Sequence, residues 1–197
     1  MSTKSAARPG GRSARVQQAV HEAVRGLDGE LARERLTVPL IAERAGVTPS
    51  TIYRRWGCLR ELLADVAAQR LQPEAPLAQT GSLAGDLFAW TQEYMEEMTS
   101  TPGRQVLADV LGSTHQERRT RCWQWQRDQL SLLLERAASR GEAPLPGVEQ
   151  LLDGVMAPLI YRLSYAPHTL DEARLRHWIR QTLDEAVAAP SAARGET

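Results

Sequence analysis

The chain has 197 residues, and its 24 Lys/Arg and 24 Asp/Glu give a formal net charge of zero. This length allows one large or two small domains with a sizeable buried core. No apolar run approaches the roughly 18 residues that a membrane-spanning helix needs, and the first residues lack the apolar core of a signal peptide. We therefore expect a cytoplasmic protein with no membrane partner.

The charge is unevenly distributed along the chain. Residues 1–60 contain eleven Lys/Arg and five Asp/Glu, whereas residues 61–197 contain thirteen and nineteen. A basic N-terminal third next to an acidic remainder fits a DNA-binding unit joined to a domain of another kind. Chance segregation of surface charge is the alternative explanation of this distribution taken alone.

The N-terminal segment is polar and contains small residues, glycine and proline. Residues 1–13 are predicted to be a disordered basic arm, whose charge comes from Arg8, Arg12 and Arg15. Such an arm can enter a minor groove or lie on phosphates, or it can be a solvated tail. Apolar residues at spacings of three and four then predict a first helix from about Ala14 to Arg33.

Residues 37–60 predict a helix-turn-helix. Thr37 can cap the first helix with its hydroxyl, and a proline follows early in that helix, where a missing N–H does no harm. Gly46 allows the chain to turn with a positive φ. Thr48 is predicted to cap the second helix, over residues 49–55.

This second helix carries hydroxyl and guanidinium groups near its N-terminal end. Ser and Thr side chains can bond base edges or phosphates, Arg can bond guanine with two hydrogen bonds, and a helix N-terminus attracts phosphate. The helix presents Ser50, Thr51, Tyr53, Arg54 and Arg55. The pattern therefore predicts a helix that reads the major groove of DNA. The alternative is a helical hairpin whose polar face is only solvated.

The same stretch resembles the N-terminal domain of the TetR family of transcriptional regulators. The family pattern T-x-x-x-I-A-x-x-A-G-V-S/T-x-x-T-x-Y-x-x-F/W is met by Thr37, Ile41, Ala42, Ala45, Gly46, Val47, Thr48, Thr51, Tyr53 and Trp56. The resemblance covers residues 15–70. It implies a homodimeric repressor with a ligand-controlled helical C-terminal domain. It also implies phosphate contacts by Thr37 and Tyr53, and groove contacts by Thr48, Pro49, Ser50, Thr51 and Arg54.

The chain departs from the family pattern at one position. A lysine commonly follows the Phe/Trp by three residues and bonds a phosphate, but Leu59 stands there in this chain. We predict that Arg60 takes over this contact from a different angle, since Arg54 and Arg55 lie nearby. The departure also supports a second hypothesis, a helical ligand- or protein-binding module whose helix-turn-helix no longer binds DNA.

The remainder of the chain is predicted to be helical. A fourth helix from Leu59 to Leu71 would complete a DNA-binding domain over residues 14–71, and the proline-bearing segment 72–82 marks a boundary. The pattern then predicts helices over residues 82–98, up to Leu111 after a break at Pro102-Gly103, 115–139, 148–165 and 170–188. No segment has strand alternation. The fold class is therefore all-α with about nine helices, in which a helical ligand-binding and dimerisation domain spans residues 82–189.

Large side chains with a polar group are the candidates for a ligand pocket in the second domain. Trp90, Tyr94 and Met98 recur at a spacing of four and share one helix face. Trp123 is predicted to point inward, and Trp125 elsewhere, because two residues are about 200° apart on a helix. The predicted lining residues are Trp90, Tyr94, Met98, Trp123 and Tyr161. Plain core packing of these side chains is the alternative.

The last two helices are the candidates for a dimer interface, because they are too apolar for a single contact face. The predicted interface residues are Leu152, Val155, Leu159, Leu163, Leu175, Trp178, Ile179 and Leu183. A two-fold dimer would place two reading helices about one DNA turn apart, roughly 34–36 Å, or a multiple of that distance. The operator should then be an imperfect palindrome.

No catalytic or metal-binding motif is present. The four histidines are scattered, and Cys58 and Cys122 do not form a C-x-x-C pair. We therefore expect no enzyme, no cofactor and no metal site. The sequence predicts a sequence-specific DNA-binding transcriptional regulator, a repressor that a small-molecule ligand releases from a palindromic operator.

Overall fold

The computed structural model describes residues 11–70 and 76–192, and within these ranges every regular element is helical. Helices α8 and α9 are joined by a π-helical turn, Leu152–Met156, so the described residues form nine helical segments, as the sequence predicted. The helices are α1 (Arg12–Glu30), α2 (Val38–Arg44), α3 (Pro49–Trp56), α4 (Leu59–Arg70), α5 (Leu83–Thr99), α6 (Thr101–Gly112), α7 (Gln116–Ser139), α8 (Val148–Leu151), α9 (Ala157–Tyr165) and α10 (Glu172–Ala192).

The beginning of α1 differs from the sequence prediction. Residues 11–13 were assigned to a disordered arm, but α1 begins at Arg12, after Gly11 in extended backbone. The rest of that arm, with Arg8, lies outside the described residues. Helix α1 ends at Glu30, and a 3₁₀ turn, Arg33–Arg35, connects it to α2.

The described helices enclose two hydrophobic cores. The smaller core joins α1–α4 through Val24, Ile41, Ile52 and Trp56, all of which are buried. The larger core occupies the space between α5–α10. Helix α4 belongs to both, since its Leu62 lies in the smaller core while its later alanines lie in the larger. Helix α4 thus contributes side chains to both cores.

Helices α5 and α6 are separated by one residue. Ser82 caps α5 and accepts a hydrogen bond from the Gly85 N–H at 3.2 Å, and Ser100 caps α6 through the Gly103 N–H at 3.0 Å. The predicted break between these helices is present but lies at Ser100, two residues before Pro102, because Pro102 and Gly103 belong to the first turn of α6. A Cβ at Gly103 would lie 1.9 Å from the Glu97 carbonyl oxygen, so only glycine allows this tight junction.

Helix α8 and the π-helical turn that follows it pack closely against α10. A Cβ at Gly154, in the π-helical turn, would lie 2.2 Å from Thr182 Oγ1 of α10. Pro158 occupies the beginning of α9, where its missing N–H is tolerated. The absence of a side chain at Gly154 therefore lets the two helical segments cross at short distance.

Candidate functional site

The helix-turn-helix is built by local capping and by three buried side chains. Thr37 caps α2, because its Oγ1 accepts a hydrogen bond from the Leu40 N–H at 3.4 Å, as predicted. Gly46 turns the chain with φ of 65°. Beneath these turns, Ile41, Ile52 and Trp56 are buried. The buried side chains fix the orientation of α3 relative to α1, α2 and α4.

The predicted cap at Thr48 is wrong. Its side chain makes no capping bond to the backbone of α3. Instead Thr48 Oγ1 lies 2.9 Å from Ser50 Oγ and 3.0 Å from Thr51 Oγ1. The three hydroxyls therefore form a cluster with one another at the beginning of α3. This cluster can exchange its internal hydrogen bonds for bonds to an outside acceptor or donor.

Most of the predicted DNA-contacting residues are exposed. Tyr53 has 49% of its surface exposed, and Thr51 and Arg55 are half-buried. The exposed members of the set are Thr37, Thr48, Pro49, Ser50, Tyr53, Arg54 and Arg60. A depression of about 400 Å³ beside them is lined by Thr51, Arg54 and Arg55 together with two residues of α1. The face that reads DNA in the sequence prediction is thus open to solvent.

Arg55 is used within the protein. Its Nη1 donates to the Ser13 carbonyl oxygen at 2.8 Å, and its Nη2 donates to Ser13 Oγ. Its guanidinium also lies over the Trp56 ring, 5.5 Å from the centroid. Arg55 therefore ties α3 to the first turn of α1, whereas Arg54 makes no such bond to a described residue.

A buried carboxylate behind the reading helix gathers donors from three helices. Asp65 of α4 accepts from Trp56 Nε1 at 2.9 Å and from Arg121 Nη2 of α7 at 2.9 Å. His21 Nε2 of α1 lies 3.0 Å away, and its Nδ1 lies 2.6 Å from Gln69 Oε1. Burial raises the pKa of Asp65, but the bonds from His21, Trp56 and Arg121 outweigh it and hold this pKa well below its usual value.

Glu61, one turn before Asp65, joins α4 to the junction between α6 and α7. Its carboxylate accepts from Ser113 Oγ at 2.8 Å, from the Thr114 N–H at 2.9 Å and from Thr114 Oγ1 at 2.7 Å. Arg118 Nη1 donates to it as well. Burial opposes ionisation of Glu61, but these donors lower its pKa to about 2. We call Glu61, Asp65 and their partners the α4 carboxylate network.

This network is not among the sites predicted from the sequence. The available signal was the pair Glu61 and Asp65, four residues apart and hence on one face of a helix whose other residues from 62 to 68 are apolar. Both side chains are buried. Because buried carboxylates require partners, that spacing could have predicted a polar contact between the domains.

The aromatic interior of the second domain lies between α5 and α7. Trp90, Tyr94 and Met98 of α5 are buried, as predicted. Gln126 Nε2 donates to Tyr94 Oη at 3.4 Å. Burial raises the pKa of the Tyr94 phenol, so it stays protonated. The ring of Trp125 in α7 lies 6.2 Å from that of Trp90.

Two of the five predicted pocket residues are on the surface instead. Trp123 is 44% exposed, and Arg127 covers its ring. Trp123 and Trp125 lie on opposite sides of the buried stripe of α7, and α5 packs on the side of Trp125. Trp125, and not Trp123, is therefore the tryptophan that points into the domain. Tyr161 is 63% exposed, because the buried side of α9 carries Leu159 and Leu163.

The predicted dimer residues are core residues of a single protomer. Trp178 and Leu183 are partly buried and pack against the larger core. The remaining six are buried within it, namely Leu152, Val155, Leu159, Leu163, Leu175 and Ile179. These six are thus covered before any partner binds, which corrects the prediction. The exposed apolar groups of the same two helices are Tyr161, Tyr165 and Val187.

The described ranges contain no helix that combines the length and the apolar character needed to cross a bilayer. They also contain no group of three or more His, Cys, Asp or Glu side chains arranged to hold a metal ion.

Comparison with known proteins gives the family. A model described as "Tetracyclin repressor-like, C-terminal domain" matches residues 77–182, and one described as "Bacterial regulatory proteins, tetR family" matches residues 33–66. The HTH-type transcriptional regulator YdeS of Bacillus subtilis is 27% identical over 186 residues, which cover 89% of this chain and 93% of YdeS.

Two solved structures have the same fold. A TetR-family regulator of Mesorhizobium loti superposes with a TM-score of 0.53 at 12% identity, covering 91% of this chain and 98% of that one. NalD of Pseudomonas aeruginosa gives 0.50 at 17% identity, covering 87% and 96%. The two family models together span most of the described residues. The chain therefore belongs to the TetR family of bacterial regulatory proteins and is a helix-turn-helix, DNA-binding transcriptional regulator.

Proposed function

We propose that the chain is a repressor that binds a palindromic operator as a homodimer and leaves it when a small molecule binds. The observation that carries the DNA-binding part is the division of α3 into two faces. Ile52 and Trp56 are buried, while Ser50, Tyr53 and Arg54 are exposed. NalD, which shares the fold, is described as a repressor of an efflux pump, and this supports repression as the direction of control.

The individual contacts follow from the chemistry of the exposed groups. Arg54 can bond a guanine edge with two hydrogen bonds, and the hydroxyl cluster of Thr48, Ser50 and Thr51 can bond base edges or phosphates. Tyr53 and Thr37 are proposed to bond phosphates on either side of the groove. Pro49 lies at the same end of α3, and Arg60 is proposed to add a phosphate contact from the first turn of α4. Arg55 contributes mainly by holding α3 against α1.

The ligand is proposed to enter the aromatic interior between α5 and α7. Trp90, Tyr94, Met98 and Trp125 supply apolar rings and a thioether, and the Tyr94–Gln126 pair supplies a polar anchor. An apolar or planar molecule fits this lining. Helix α7 also carries Arg118 and Arg121, which bond the carboxylates of α4. A ligand that favours a different position of α7 would therefore shift α4 and the reading helix.

Dimerisation is proposed to use the outer side of α9 and α10, where Tyr161, Tyr165 and Val187 are exposed. The Tyr161 and Tyr165 rings contact each other, with centroids 5.0 Å apart. A two-fold axis through this surface would direct both α3 helices to one face of DNA in the cytoplasm. Analytical ultracentrifugation that shows only a monomer at micromolar concentration would contradict the dimer.

DNA binding is tested by fluorescence anisotropy with the DNA upstream of the chain's own gene. We expect Arg54→Ala and Tyr53→Phe each to weaken specific binding by about tenfold or more, because each removes a direct contact. Arg104→Ala is the matched control, since Arg104 is exposed on α6. Circular dichroism checks that all variants are folded. Unchanged affinity in both α3 variants would refute the assigned reading face.

A second candidate function is a helical module that does not bind DNA. It is favoured by Leu59, which packs partly buried against the smaller core and so offers no cation where the family commonly has lysine. Salt dependence separates the two functions, because each phosphate contact releases counterions and steepens the dependence on salt. We expect a steep dependence that Arg60→Ala reduces by about one contact. Absent or salt-insensitive binding would favour the module.

A further inference from the structure

A groove runs between the two domains on the side of α4 that faces α1 and α6. It has a volume of about 190 Å³. Its apolar wall is formed by Val24 of α1, Val66 of α4 and Val106 of α6, and these three side chains are almost fully buried. Three arginines and two aspartates also line it. The groove is thus apolar inside and charged around its opening.

The charges around the groove are not balanced. Arg33 pairs with Asp109 of α6 and lies 3.5 Å from Asp28 of α1, so these three side chains form one connected group. Arg25 of α1 and Arg70 of α4 are exposed and form no ion pair or hydrogen bond with a described residue. The guanidinium groups of Arg25 and Arg70 therefore line the groove from α1 and α4 without a carboxylate partner among the described residues.

We propose that this groove binds a small amphipathic carboxylate, whose apolar body contacts the valines and whose carboxylate bonds Arg25 and Arg70. A planar guanidinium matches a carboxylate through two parallel hydrogen bonds. The volume lies below the roughly 300–1,000 Å³ of pockets for drug-sized ligands, so the occupant is a molecule of about benzoate size. The groove is separate from the aromatic interior between α5 and α7, with which it shares no lining residue.

Benzoate is the probe, and benzamide is its uncharged match in shape. Isothermal titration calorimetry with the full chain should give one benzoate site per protomer with a dissociation constant on the order of 1 mM. We expect benzamide to bind at least about tenfold more weakly, because it lacks the charge that the guanidiniums recognise. Sodium sulfate at matched ionic strength should not displace benzoate, since sulfate has no apolar body.

Two substitutions locate the site. Arg25→Gln and Arg70→Gln should each weaken benzoate binding by about tenfold, while Arg180→Gln on α10 should leave it unchanged. All three positions are exposed, so the variants should fold, and thermal unfolding verifies this. Two results would overturn the proposal. One is no detectable binding at benzoate concentrations up to about ten times the expected dissociation constant. The other is benzoate binding that is unchanged in both Arg25→Gln and Arg70→Gln. Equal binding of benzoate and benzamide would overturn the role of charge.

Benzoate binding to the free chain is independent of the proposed repressor function, so either can fail without the other. A regulatory effect of the groove rests on that function. The groove is formed by α1, α4 and α6, so its shape depends on how the two domains are arranged. A molecule that binds one arrangement more tightly than the other would change the affinity for DNA, and the ratio of its two affinities limits the size of that change. Anisotropy with and without benzoate, in wild type and Arg70→Gln, measures this ratio. An effect that persists in Arg70→Gln would assign it to another site.

Discussion

The hydroxyl cluster of α3 and the α4 carboxylate network are both polar, yet they differ in solvation and in the number of their partners. Thr48, Ser50 and Thr51 bond mainly one another at the surface. Glu61 and Asp65 are buried, and donors from both domains surround them. The difference shows how a reading helix can be held firmly while its contact groups remain available. The groups that position α3 have their bonds made inside the protein, and the groups proposed to recognise DNA have theirs left open.

The largest effect is expected from removing Asp65, because it is one of the buried groups that hold α3 in position. Asp65→Ala leaves His21 Nε2 and the Trp56 indole N–H without an acceptor, and it leaves Arg121 without its ion-pair partner. We expect the free energy of unfolding to fall by about 2–6 kcal/mol, because each of the two buried donors left without an acceptor costs about 1–3 kcal/mol. Urea denaturation measures the change.

Asp128→Ala is the control for Asp65→Ala, because Asp128 is exposed on α7. Its free energy of unfolding should change by less than about 0.5 kcal/mol. A loss in Asp65→Ala no larger than in this control would show that the network does not position α3.

Acid should weaken the network before it affects the hydroxyl cluster. The pKa of Glu61 is lowered from 4.5 to about 2 in the folded chain. A carboxylate with a lowered pKa stabilises the fold fully above its unfolded pKa, and this contribution is lost as the pH falls towards the folded pKa. We therefore expect stability to decline between about pH 5 and pH 2, by up to about 3 kcal/mol from Glu61.

Urea denaturation over this pH range, with wild type and Glu61→Gln, isolates the contribution of Glu61. The variant cannot ionise at this position, so its stability should depend less steeply on pH. Asp65, whose pKa is also lowered, keeps a part of the dependence in both proteins. Parallel curves for the two proteins would contradict the assignment to Glu61.

The two threonines that precede helices give the smallest and sharpest contrast. Thr37 caps α2 through the Leu40 N–H, whereas Thr48 makes no capping bond. Thr37→Ala should therefore lower the free energy of unfolding by about 1 kcal/mol, and Thr48→Ala by clearly less. Thr48→Ala should instead weaken DNA binding. Equal losses of stability in the two variants would show that the hydroxyl cluster supports α3 after all.

The helix-turn-helix could be predicted closely because its signals are local. Thr37, Gly46 and the prolines at helix starts act through the backbone of their own turn, so their effect does not depend on distant residues. Exposure of Arg54 and Tyr53 follows equally from burial of Ile52 and Trp56 on the opposite face of one helix. Nothing outside residues 37–60 was needed for these predictions.

The second domain could be predicted only as a set of helices. Periodicity shows that α7 has a buried stripe, but it does not show on which side of that stripe α5 packs, and this decides between Trp123 and Trp125. In the same way, the excess of apolar residues in the last two helices does not reveal whether they cover a partner or the protomer's own core. Leu159 and Ile179 do the latter. These choices depend on tertiary contacts that no local pattern records.

The π-helical turn at Leu152–Met156 has a consequence for the surface of α9. Its wider hydrogen-bonded rings advance the chain through a smaller angle per residue than the roughly 100° of an α-helix, so α9 emerges rotated about its axis relative to α8. Gly154 can thus lie against α10 while Tyr161, seven residues later and in register with it on a regular helix, points into solvent. One turn upstream sets which aromatic rings a second subunit would encounter.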